Sequence, residues 1–209
     1  MPLYKKIQVN CSTTVFVWKI EEDFNWLFRH VELKDISLAR LEKMKSESHQ
    51  RGFLSVRHLL HEAGYTDFDL FYDENGKPNL KDGHHISITH SHNFSAIIVS
   101  TENVGIDLEL QRDKIVRIAD KFIDFEFEYL DKAAAEYIRK LTVIWAIKEA
   151  KYKMCNSKSL SFKDHMKVIA FQLNDSKGTA FIKQNDFEKS FMFSFEEFEN
   201  FTLVYALEN

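Results

Sequence analysis

Apolar residues fall along this chain in two rhythms. Between Phe94 and Leu110 they come in short, β-branched runs, Phe94 to Val99 and Val104-Gly-Ile-Asp-Leu-Glu-Leu110, separated by a polar turn, which predicts two strands. From about Ala133 to Met154 the chain lacks Gly and Pro, opens on three alanines, and sets Ile138, Leu141, Trp145 and Tyr152 at helical spacing, which predicts a long helix. Upstream, Leu33 to Ala63 reads as one or two helices, with Gly64 as their stop. Glu74-Asn-Gly-Lys-Pro78 reads as a turn, and Ile86 to Thr89 as a further strand. After Asp164, short runs at Val168–Leu173, Thr179–Lys183, Phe191–Phe195 and Phe201–Ala206 predict an antiparallel meander. The fold class is therefore α+β.

The alternation of a strand sends Asp107 and Glu109 to one face and Ile106, Leu108 and Leu110 to the other. Two carboxylates side by side are either a solvated outer face or a seat for a hard cation such as Mg²⁺, which takes one or two protein carboxylates together with substrate phosphates. The helical stripe continues through Glu149, four residues after Trp145, and Lys153 follows one turn later. A Glu and Lys at that spacing often form an ordinary surface pair. On an apolar stripe, however, a partly buried carboxylate calls for a metal or a partner.

Composition changes this picture little. A chain of 209 residues with 44% hydrophobic content and nineteen phenylalanines can bury a sizeable core. Two prolines, six glycines and the absence of low-complexity runs predict a compact organisation. Neither a signal peptide nor a membrane span is visible, and Cys11 and Cys155 are too few for a disulfide framework, so a reducing cytoplasm is the expected setting. A net charge of −4 argues against general nucleic-acid binding.

Four ordered segments carry a resemblance. They are Gly76-Lys77-Pro78-x-Leu80, Ile88-Thr89-His90-Ser91, Gly105-Ile-Asp-Leu-Glu109, and Trp145-x-x-Lys148-Glu149-Ala150-x-x-x-Lys153. Across roughly residues 40 to 165 their order and spacing resemble the 4′-phosphopantetheinyl transferases, specifically the larger, monomeric class typified by the surfactin-synthetase activator. Thr89 stands where that class usually has serine. The resemblance implies two similar α/β halves in pseudo-twofold arrangement, 1–103 and 104–209, with their boundary at the Ser100–Asn103 turn and the active site in the cleft between them. It implies coenzyme A as co-substrate, Mg²⁺ as cofactor, and an apo acyl or peptidyl carrier protein as partner.

For the residues, the resemblance implies Asp107, Glu109 and Glu149 as metal ligands, with Glu149 and Lys153 as catalytic groups. Arg51, within His49-Gln50-Arg51, and less clearly Arg57, would contact the 3′-phosphate, because a guanidinium grips phosphate bidentately. Arg40 and Lys43 are weaker candidates. Lys77 and His90 would face the pyrophosphate. Glu126, with Glu128 as a competing alignment, resembles the family's acidic position after a phenylalanine. A rival reading gathers His84, His85, His90 and His92 with Asp107 into a zinc site.

In the implied reaction, a carrier serine attacks the β-phosphate of coenzyme A and 3′,5′-ADP leaves. Positive charge must offset two anionic phosphates, and a base must take the serine proton. Glu149 is either that base or mainly a metal ligand. The spacing Lys114-x-x-Arg117-x-x-x-Lys121, beside Ile115, Ile118 and Phe122, offers either a docking face for an acidic carrier or a solvated amphipathic helix. Two other classes, a coenzyme A hydrolase using the same groups and a silent binding relative, remain open.

Overall fold

In the computed structural model, residues 3–155, 160–184 and 187–208 are described. The chain is mixed α+β, built as two compact units, Met1–Val104 and Gly105–Asn209, each with one antiparallel sheet.

The first unit contains strands β1 (Leu3–Asn10) and β2 (Thr13–Lys19), helices α1 (Phe24–Arg29), α2 (Asp35–Glu42) and α3 (Glu47–Glu62), then β3 (Leu70–Tyr72), β4 (Pro78–Leu80), β5 (His85–Ser91) and β6 (Phe94–Ser100). The sheet order is β1-β2-β6-β5-β4-β3. β6 lies between two partners and is buried along its whole length, which explains its continuous apolar run. α3 packs Phe53, Leu54, Val56, Leu59 and Leu60 into the core of this unit. It ends as expected at Gly64, whose φ of 85° lets Tyr65 N donate back to Leu60 O at 2.8 Å. The hairpin of β1 and β2 has no counterpart in the periodicity reading. β1 is an edge strand with no fully buried residue, so its hydrophobic alternation is faint.

The second unit contains β7 (Val104–Leu110), helix α4 (Tyr137–Cys155), the short α5 (Phe162–His165), and strands β8 (Met166–Val168), β9 (Lys177–Gln184), β10 (Phe187–Phe198) and β11 (Phe201–Leu207), in the sheet order β7-β11-β10-β9-β8. The meander is present, but the run Val168–Leu173 forms a strand only to Val168 and then leads to a short 3-10 turn, Leu173–Asp175. The segment expected as a basic helix is a 3-10 helix, Asp113–Lys121. α4 starts at Tyr137, four residues later than the alanine run suggests. The Asp131 carboxylate accepts a 2.9 Å bond from Ala133 N and diverts that run into a turn, a conformation that competes with helix. Among the described residues, no helix is long and apolar enough to cross a membrane.

Two glycines of this unit permit close approach. A Cβ on Gly105 would lie 2.1 Å from Ala150 O, so the backbone of α4 rests directly on β7. A Cβ on Gly178 would lie 2.3 Å from the Phe193 ring.

Candidate active site

β7 and α4 bring the carboxylates and the lysine of the second unit together. Asp107 is 5% exposed, while Glu109 is half-buried nearer the strand end. Lys153 places its ammonium 2.8 Å from Asp107 Oδ1 and donates to Ile106 O at 3.0 Å. Trp145, two turns earlier on α4, donates its indole N–H to Glu109 Oε1 at 3.1 Å. Glu149 lies between Trp145 and Lys153 on the same helical line. The line Trp145–Glu149–Tyr152 is a half-buried flank of α4. The deepest face is instead Leu141, Ile144, Ile147, Lys148, Lys151 and Met154, because α4 is covered by core on more than one side.

The three carboxylates sense one another. Burial, and then the Asp107 charge, push the Glu149 carboxyl up to about 7, against the pull of Lys153. The same two causes raise Glu109, while the Trp145 hydrogen bond pulls it down. Among the described residues, no group of three or more His, Cys, Asp or Glu side chains is arranged to hold a metal ion as it stands. The donor chemistry nevertheless suits a hard divalent cation. Asp107, Glu109 and Glu149 are oxygen donors; burial, and then repulsion among them, raises the pKa of Glu109 and Glu149, and a cation would relieve that repulsion.

The anion-binding candidates of the first unit separate into two groups. Arg57 and His90 line one cavity of about 250 Å³, together with Arg40, His49, Phe53 and Tyr72. Arg57 is buried, bonded to Asp67 Oδ1 at 2.9 Å, and stacked 3.5 Å over the Phe53 ring. Burial holds its guanidinium below the usual arginine range, with Asp67 opposing. The Arg40 guanidinium lies over Phe53 and Tyr72 at 5.7 and 5.3 Å, and the His49 and His90 rings are 6.2 Å apart. Arg51, by contrast, donates to the carbonyls of Glu22 and Ile20 at 2.8 and 3.1 Å, tying α3 to the β2–α1 loop. Lys77 donates to Asn103 Oδ1 at 3.1 Å. Periodicity marks Phe53 only as a core residue of α3 and leaves Tyr72 unmarked, because spacing does not distinguish an aromatic that lines a charged pocket. His49 was in view only as part of a motif.

The four histidines of the zinc reading have separate partners. His84 pairs with Asp82 at 2.9 Å, His90 faces His49, and His92 occupies the left-handed position of the β5–β6 turn at φ 52°. His85 sits on β5 opposite Asn79 and Ser100.

In the second unit a strand bearing paired carboxylates therefore faces a helical Trp-Glu-Lys line. Residues 103–206, which contain all of it, match the family model of the 4′-phosphopantetheinyl transferase superfamily. The second unit thus carries the sequence pattern of that superfamily. Among characterised proteins, the chain is similar to enterobactin synthase component D of Salmonella typhi, 28% identical over 136 residues, which are 64% of this chain and 56% of that protein. It is also similar to the protein of that name from Salmonella typhimurium, 27% identical over 163 residues, covering 77% of this chain and 63% of the relative. The matches thus span less than two thirds of the length of either relative.

Proposed function

We propose that this chain is a 4′-phosphopantetheinyl transferase of the larger, monomeric class, acting in the cytoplasm. It transfers the phosphopantetheine group of coenzyme A to a serine of an apo carrier protein and releases 3′,5′-ADP. The observation that carries this reading is the convergence of Asp107, Glu109, Glu149 and Lys153 from β7 and α4 inside the segment that matches the superfamily.

Asp107, Glu109 and Glu149 are the residues that would hold Mg²⁺. When bound there, the cation supplies charge neutralisation to the pyrophosphate and the leaving oxygen. Lys153 pairs with Asp107 and offers positive charge beside the carboxylates. Where Asp107 and Glu109 alone would hold the cation, Glu149, its carboxyl raised to about 7, is placed to take the serine proton; as a ligand it would lose that basicity. Arg40 offers positive charge, and His49 and His90 offer ring nitrogens, around an aromatic-lined cavity that the Asp67-paired Arg57 also lines, a chemistry suited to a nucleotide phosphate. A second cavity, of about 150 Å³, is lined by Glu109, Arg112, Lys114, Ile115, Ile118 and Trp145, and supports docking of an acidic carrier helix on the 3-10 segment next to the carboxylates.

The test is release of 3′,5′-ADP from coenzyme A in the presence of Mg²⁺, with and without an apo carrier protein. Release that requires the carrier supports the transferase. Equal release without it identifies a hydrolase.

A further inference from the structure

Lys148 is 1% exposed, an uncommon fate for a lysine, and it immediately precedes Glu149, about 100° further back around α4. Its ammonium has three N–H donors, and each has an acceptor: Glu126 Oε1 at 2.8 Å, Phe122 O at 2.7 Å and Phe162 O at 3.1 Å. Glu126 is 0% exposed. Its Oε1 also accepts from Val168 N at 2.8 Å, and its Oε2 accepts from Asp124 N at 3.3 Å. One buried ion pair therefore ties together α4, the end of the 3-10 segment, the start of α5 and the edge strand β8.

The two carbonyls it grips belong to the residues that flank Trp145. The Phe122 ring meets Trp145 edge-on at 5.1 Å, and the Phe162 ring lies tilted against it at 5.6 Å. Trp145 in turn donates to Glu109. An apolar pair of equal volume could fill the same space, and such replacements are often neutral for stability. It could not fix two backbone carbonyls from separate segments at one point.

We infer that Glu126 and Lys148 form a positioning pair: by pinning the Phe122 and Phe162 carbonyls they hold both rings against Trp145 and aim its indole N–H at Glu109. The pair acts through Trp145 and touches none of the reacting groups itself. This goes beyond the transferase reading, since it concerns how a carboxylate of the site is oriented whatever that carboxylate holds.

The experiment follows the indole N–H resonances of the full chain by ¹H–¹⁵N NMR, with Trp145 assigned through W145F and compared against Trp18 and Trp26. The variant K148M/E126Q removes both charges together and keeps an acceptor for Val168 N. The expected result is an upfield move of the Trp145 resonance alone, with solvent exchange at least tenfold faster, reproduced by E109Q and not enlarged by combining the two. A Trp145 resonance that stays in place while the melting temperature falls would overturn the inference, because the pair would then serve only the fold. Equal movement of all three resonances would overturn it as well. Should K148M/E126Q fail to fold, F162L, which removes one flanking ring and leaves the carbonyl grip, gives the same test: an unmoved Trp145 resonance refutes. Neither variant needs substrate for this readout, so failure here is distinct from failure of the transfer assay.

Discussion

Replacing Glu149 by glutamine separates the electrostatic cost of the site from its chemistry. The Glu149 carboxyl is held near 7 in the folded chain against an ordinary value of 4.5, chiefly by burial and then by Asp107. A raised carboxyl pKa means that the folded chain keeps a proton which the unfolded chain has released. Its stabilising contribution is therefore fully present below about pH 4.5 and is lost as pH rises through about 7. The full shift corresponds to at most about 3 kcal/mol, and solvent screening of a half-buried group reduces this to about 1–2 kcal/mol. Glutamine has the shape of the protonated acid and never ionises. E149Q should therefore match the wild type near pH 5 and exceed it by about 1–2 kcal/mol at pH 8, or about 2–8 °C in melting temperature for a chain of this size. Thermal melts from pH 5 to 8 in a chelating buffer provide the assay. If E149Q and wild type lose stability in parallel across that range, Glu149 does not carry the strained charge. If E149Q is stabilised at pH 8 and yet transfers phosphopantetheine at the wild-type rate, its roles as base and as ligand both fall.

Four further outcomes test other parts of the account. G105A would force a Cβ to within 2.1 Å of the Ala150 carbonyl, so β7 and α4 must part; a loss of about 1–3 kcal/mol in urea unfolding is expected, with at least a hundredfold loss of transfer. K153M leaves Asp107 without its ammonium partner and should cost about 1–3 kcal/mol, less than for a fully buried pair, while D107N/K153M should recover most of that stability; a double variant as unstable as the single would discount the pair. R40A should raise the Michaelis constant for coenzyme A about tenfold without changing the melting temperature, whereas R117E/K121E should raise it for the carrier and leave coenzyme A affinity unchanged.

Much of the carboxylate site was legible because strand alternation and helical spacing are strict geometric rules. Two carboxylates at positions 107 and 109 had to share a face, and Glu149 and Lys153 had to share a helix flank. The start of α4 was not legible from propensity, since Asp131 captures Ala133 N and three good helix formers end in a turn. Nor was the burial of Lys148 and Lys151, because a charged residue beside Glu149 reads as solvent-facing until its acceptors on distant segments are known. For the same reason Arg51 reads as a better anion contact than Arg57, yet Arg51 is spent on two backbone carbonyls while Arg57, bonded to Asp67, is the one that lines the cavity; both sets of partners are remote in sequence. Periodicity conveys which face a side chain occupies. It is silent about what the chain later brings to meet it.

The central claim is that this chain moves phosphopantetheine onto a carrier serine, and intact-mass spectrometry of the carrier tests it most directly. Purified protein, Mg²⁺, coenzyme A and an apo carrier should yield a carrier heavier by one phosphopantetheine, and changing the acceptor serine to alanine should abolish the gain. Carriers of the fatty-acid, polyketide and peptide-synthetase kinds that all keep their apo mass, while coenzyme A is consumed, would contradict it.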